Sequence, residues 1–264
     1  MGYLMVLLRF IFCYLCVFSL INAEERFLLV DGVSGETVLQ LGSQFDERMS
    51  PCSTFKIPLS LMGYDAGVLK DEQTPVWQFQ EGYDDFLDTW KGPISPQSWM
   101  QYSCVWYSKV ISCQLGLKKM QDYLSAFDYG SQDMSVGIVP PGKADPAWFH
   151  SSPLKISLKE QVNFISKMLQ NKLHVTNHSI VMTKAILFKE KLPQGWKLFG
   201  KTGWSGSIGR NDDTVLEYAW FAGWIEKDTH IFPFAYLIRD KKIALDQRIP
   251  RVKQLISETD ILLR

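Results

Sequence analysis

Apolar residues gather early in two short runs, Arg26–Asp31 and Glu36–Leu41, on either side of Gly32-Val33-Ser34-Gly35. That pattern predicts a β-hairpin. A helical stretch is expected to begin near Ser53, and helical patterns return over roughly 97–126. Between them, residues 71–96 are rich in Pro, Gly, Asp and aromatic side chains and read as a packed irregular loop. Ser157-Leu158-Lys159-Glu160 has the form of a capping box, in which a Ser hydroxyl and a Glu carboxylate satisfy each other's backbone N–H groups. Leu158, Val162, Ile165 and Leu169 then fall on one helical face. Lys197–Gly203, Leu216–Ile225 and Ile231–Ile238 read as three strands, and Val252, Leu255, Ile256 and Thr259 follow at helical spacing. Strands near both ends thus enclose a helical middle, an α+β architecture rather than an alternating βαβ one. No linker divides it.

The first 23 residues break this pattern. MGYLMVLLRFIFCYLCVFSLINA is apolar apart from Arg9, Ser19 and Asn22, and it ends in Ala23 before Glu24-Glu25. A basic residue, an apolar run and a small residue at the break describe a secretory signal peptide cleaved after Ala23. The run after Arg9 falls short of the ~20 residues that span a bilayer. Residues 24–264 are then one exported domain, with the periplasm as its compartment and no membrane attachment in the mature form.

Composition supports a large core, with 46% hydrophobic and 21% charged residues among 264. The formal net charge of +0 argues against a nucleic-acid partner and against a polybasic membrane surface. Past the leader, Cys52, Cys104 and Cys113 are an odd set, so at least one thiol is unpaired within a single chain. Neither Cys52 nor Cys104 has a neighbouring His, and both read as small buried hydrophobes.

Four short segments carry candidate chemistry. Ser53-Thr54-Phe55-Lys56 is an S-x-x-K tetrad; on a helix its Ser and Lys lie one turn apart. A serine hydroxyl needs a base to take its proton, and lysine serves only when burial or a nearby cation depresses its pKa. The apolar residues Phe55, Ile57, Leu59, Leu61 and Met62 supply burial. Pro58 is tolerable only near a helix start, which places that start close to Ser53. Ser103-Cys104-Val105, Tyr129-Gly130-Ser131 and Lys201-Thr202-Gly203 are each uninformative alone. His174 and His178 lack the Glu of a zinc-protease helix and read as surface residues, so no metal site is expected. Asp84-Asp85 reads as solvated loop charge.

In order, S-x-x-K, S-x-V, Y-G-x and K-T-G form one pattern. Together with Gln101-Tyr102-Ser103-Cys104-Val105-Trp106, Lys201-Thr202-Gly203-Trp204-Ser205-Gly206 and Ala219-Trp220-Phe221-Ala222-Gly223-Trp224, it resembles the class D, oxacillinase-type, serine β-lactamases over essentially the whole mature chain. The resemblance implies a β-lactamase/transpeptidase-like fold: an antiparallel sheet flanked by terminal helices, plus a helical subdomain. It implies hydrolysis of the β-lactam amide of penicillins, oxacillin-type included, and hence antibiotic resistance. Ser53 would be the acylated nucleophile. Lys56 would be carboxylated by CO2 to N6-carboxylysine and act as general base, with no other cofactor. Ser103 would pass a proton to the leaving nitrogen, and Val105 would wall the carbamate. Lys201, Thr202, Gly203 and Trp204 would contact the substrate, and the backbone N–H groups of Ser53 and Trp204 would form the oxyanion hole. Trp148 is the candidate for the tryptophan that holds the carbamate.

Three departures stand out. Ser131 replaces the Asn that normally ends the third motif, which implies a supporting role there. Counting back from Leu154–Ser157 puts Phe149 at the family spacing unless Pro153 marks a one-residue insertion, in which case Trp148 fits. The family's carboxylate-gripping Arg matches Asp246; either Arg248, two residues on, substitutes, or Lys201 and Thr202 act with less help. The competing readings are a β-lactam sensor domain, acylated but not turning over, and a cell-wall transpeptidase or carboxypeptidase. Oligomeric state has no signature.

Overall fold

The structure is a computed structural model, and it describes residues 23–149, 152–206 and 216–263. The proposed leader, apart from Ala23, lies outside the described residues, as do residues 207–215.

The early hairpin forms as β1 (Glu24–Val30) and β2 (Thr37–Leu41). After Pro51 a 3-10 turn, Cys52–Phe55, runs directly into α1 (Lys56–Asp65). Pro58 therefore sits in the first turn of α1, where its missing N–H has no intrahelical partner to lose.

The helical stretch around 97–126 is three helices, α2 (Pro96–Tyr102), α3 (Val105–Leu115) and α4 (Leu117–Phe127). Ser103 with φ +58° and Gly116 with φ +77° turn the chain between them. Residues 71–96 are irregular, held by a Trp77–Ile94 bridge.

The capping box at Ser157 and Glu160 forms as expected and opens α5 (Leu158–Leu169). Then come α6 (Asn177–Leu187), β3 (Phe188–Lys191), β4 (Lys197–Trp204), β5 (Glu217–Lys227), β6 (His230–Asp240) and α7 (Arg248–Ser257). Thr259 lies just past the end of α7, where its hydroxyl donates to the Ile256 carbonyl.

The strands make one antiparallel sheet in the order β2-β1-β6-β5-β4-β3. Pairing of the first strand with the last closes the molecule. Successive side chains on a strand face opposite sides, and here both sides are covered. Phe27, Leu29, Leu198, Phe221, Ile225 and Phe234 pack with Val252, Leu255 and Ile256 of α7. Phe199, Ala222 and Trp224 join the larger core built by α1 to α6. The expected α+β arrangement is what the chain adopts. Its one strand invisible to the apolar pattern is β3, which pairs with β4 only as far as Phe188–Phe199. From Gly200 to Trp204 the outer edge of β4 has no strand partner among the described residues.

Candidate active site

That open stretch of β4 is where the separate motifs meet. A Cβ on Gly203 would lie 2.9 Å from the Pro51 carbonyl oxygen and 3.3 Å from the Ser53 nitrogen. The Pro51–Ser53 turn thus rests directly on the strand, a closeness that only glycine permits. Cys52 has φ +51°, an uncommon conformation for a residue with a side chain, just before Ser53. Ser53 itself is half-buried and faces a cleft of about 430 Å³.

The Nζ of Lys56 lies 3.4 Å from the Ser53 Oγ, as the S-x-x-K spacing predicts. Lys56 is 1% exposed. Burial lowers its pKa from 10.5 to about 8, because a charged amine cannot recover in the interior the hydration it loses. Cys52 and Cys104 lie near it, and burial pushes both thiols up to about 12, so they stay uncharged. Both are free and buried, and Cys113 is free and exposed. These residues accommodate a carboxylated lysine: the amine is dry, and about a tenth of it is neutral at pH 7, against fewer than about one in a thousand at the ordinary value.

Ser103 sits at the left-handed residue between α2 and α3 and lines the cleft beside Val105. Thr202, Gly203 and Trp204 line it too. Antiparallel ladders alternate the direction of their N–H groups. Ser205 N–H donates to the Tyr218 carbonyl at 2.9 Å. The N–H of Trp204, one residue earlier, therefore points away from β5 towards the open edge. Its indole N–H donates to Glu217.

Lys201 is buried, and its ammonium donates to the Thr202 carbonyl at 3.0 Å. Burial holds its pKa well below the usual lysine range, and the charges of Lys189, Lys56 and Arg248 add to the effect. Arg248, and not Asp246, lines the cleft; its guanidinium donates to the carbonyls of Gly203 at 2.8 Å and Leu245 at 2.7 Å. Burial brings it down to about 10.

Trp148 and Phe149 divide their roles. Trp148 is buried and stacks on Phe55, the residue before Lys56, with ring centroids 4.7 Å apart, and its carbonyl accepts from Cys52 N–H. Phe149 faces the cleft. Ser131 lies off the cleft: its hydroxyl donates to the Pro153 carbonyl and accepts from the Lys155 N–H, tying the third motif to the segment before α5.

Several lining residues carry no motif: Phe86, Leu87, Trp90, Asp145 and Leu245. They come together only through tertiary structure. Trp99 is fully buried with its indole bonded to Ser108, away from the cleft. Asp84 is a correction to the solvated-charge expectation, since it pairs with the buried Lys109 at 2.8 Å. Lys189, at the bulge of β3, is a further basic group that sequence reasoning passed over.

The penicillin binding protein transpeptidase domain family matches residues 27–257. The β-lactamase OXA-9 of Klebsiella pneumoniae is 33% identical over 80% of this chain and 77% of its own length. The β-lactamase OXA-1 of Escherichia coli is 35% identical over 81% and 75%. Among solved structures, the class D β-lactamase OXA-427 superimposes with a TM-score of 0.73 at 36% identity, covering 88% of this chain and 99% of that one.

Proposed function

The chain belongs to the class D β-lactamases, within the penicillin binding protein transpeptidase domain family, and from that premise we propose how its own residues open a β-lactam. The observation that carries the reading is a cleft-facing serine 3.4 Å from a buried lysine amine of lowered pKa.

The Ser53 Oγ attacks the carbonyl carbon of the β-lactam amide, and an ester forms at Ser53 as the C–N bond breaks. The N–H groups of Ser53 and Trp204 receive the developing oxyanion. Ser103 hands a proton to the departing ring nitrogen. Lys201, Thr202 and Arg248 hold the substrate carboxylate, with Gly203 leaving room for it and Val105 walling the lysine. CO2 on the neutral Lys56 amine would supply a carboxylate base beside Ser53, and Trp148 is the residue assigned to hold it. That base takes the Ser53 proton during acylation and a proton from water during ester hydrolysis. No metal enters the scheme. The proposal extends to export: cleavage after Ala23 would give a mature periplasmic chain beginning at Glu24, checked by intact mass of the secreted protein.

The test is turnover of a penicillin or a chromogenic cephalosporin with and without bicarbonate. Sustained hydrolysis stimulated by bicarbonate is expected. A stoichiometric burst with no further turnover would make the protein a sensor instead. In Lys56→Ala the acyl-enzyme should accumulate, and deacylation at the wild-type rate would remove the lysine-based mechanism.

A further inference from the structure

The two loops that wall the cleft are joined to each other, and to α3, by one buried ion pair. The Lys109 ammonium, with a side chain 1% exposed, donates to Asp84 Oδ1 at 2.8 Å and to the Lys143 carbonyl at 3.1 Å. The second oxygen of the Asp84 carboxylate accepts from the Gly142 N–H at 3.1 Å. Gly142 has φ +70°, and a Cβ there would lie 1.7 Å from the Gly82 carbonyl oxygen. The backbones at 82–84 and 142–143 are therefore in contact, stapled through one amine.

This staple stands immediately before the cleft walls. Phe86, Leu87 and Trp90 follow Asp84, and Asp145 and Phe149 follow Lys143; all five line the cleft, whereas Asp84 and Lys109 do not. The same helix that carries Lys109 begins at Val105 of the S-x-V motif. A second tie runs alongside, from the Trp106 indole N–H to the Trp90 carbonyl at 2.9 Å. Ser53, Ser103 and Thr202 line the same cleft, and the Trp90 indole donates to the carbonyl of Tyr102, the residue before Ser103, at 2.9 Å. The apolar walls are left to meet whatever the β-lactam carries as its acyl side chain. Loops are ordinarily the parts of a fold whose spacing varies most. A buried ammonium resists such variation, because any separation strands its charge away from water.

We propose that the Asp84–Lys109 pair is a positioning device that fixes the spacing of the 86–90 and 145–149 walls and thereby selects β-lactams by the bulk of their acyl side chain. The proposal rests on the β-lactamase reading above. Its test compares kcat/KM for oxacillin, which carries a bulky aromatic acyl group, with that for 6-aminopenicillanic acid, the same nucleus without one. In Asp84→Asn the value for oxacillin should fall about tenfold or more, chiefly through KM, while the bare nucleus changes less than about twofold. Gly142→Ala forces the two loops apart without altering any charge and should move the ratio the same way. It decides the matter alone if Asp84→Asn does not fold. Equal losses on both substrates, or an unmoved ratio, overturn the proposal. Failure of the unaltered protein to turn over either compound would instead overturn the β-lactamase reading itself.

Discussion

Lys56 loses its water on folding, and its amine titrates near 8 rather than 10.5. The sign of the resulting stability term follows from proton counting. Below about pH 8 the amine is charged in both states, and the folded state bears the cost of its burial. Between 8 and 10.5 the unfolded chain holds a proton that the folded chain has released, so stability rises with pH. Lys56→Met, compared with unmodified protein in CO2-free buffer, should therefore be more stable by about 3 kcal/mol at pH 7 and lose that advantage by pH 10.5. Urea melts at the two pH values measure this; an equal gain at both would contradict it. Arg248 makes the second prediction at this scale. Its guanidinium is anchored by two backbone carbonyls and faces the cleft. Arg248→Ala should raise KM by about tenfold to a hundredfold with a smaller change in kcat, the scale of a lost charged hydrogen bond. An unchanged KM would assign the substrate carboxylate to Lys201 and Thr202 alone. Ser53 and Lys56 were legible as a pair because the S-x-x-K spacing brings them within one turn of each other; Ser103 and Thr202 were legible only through the order of motifs that carries the family resemblance. Phe86, Asp145 and Lys189 were not, because their neighbours are remote in the chain and only the fold assembles them.

Among elements, the capping box at Ser157 was readable because both its partners lie within one turn. The helical patterns over 97–126 were not divided into their three helices, since the break at Ser103 depends on a left-handed backbone that a serine rarely adopts. β3 escaped because Phe188–Lys191 is four residues with three charges, directly continuing α6. Its shortness matters, for it leaves β4 open beside Ser53. The contact of β4 with the nucleophile turn predicts the effect of Gly203→Ala. The added methyl would meet the Pro51 carbonyl and the Ser53 nitrogen at 2.9 and 3.3 Å. The turn must shift by a few tenths of an ångström, and kcat should fall at least about tenfold, since reacting groups tolerate little misplacement. The melting temperature should move only slightly. Thermal melts beside steady-state rates separate the two, and full activity would mean that the turn slides without consequence.

For the molecule as a whole, the sheet is shared property. Phe199, Ala222 and Trp224 belong to the helical core, while Leu198, Phe221 and Ile225 on the same strands belong to the core beneath α7. Neither side can come apart without exposing the other. Urea unfolding followed by tryptophan fluorescence, with buried reporters on the helices (Trp99, Trp106) and in the sheet (Trp220, Trp224), should coincide with unfolding followed by far-ultraviolet circular dichroism. Two separated transitions would mean that the helical part unfolds on its own. The free edge of β4 has a consequence of a different kind. Unpaired strand edges recruit other strands and are the usual starting point of chain exchange and fibrils. Here, among the described residues, the unpaired length runs only from Gly200 to Trp204; Pro51–Ser53 packs against it at Gly203, and Thr202 to Trp204 line a cleft of about 430 Å³. A strand edge sunk in a recess of that size meets a molecule as small as a bicyclic amide more readily than another strand, which needs an open length of backbone to pair.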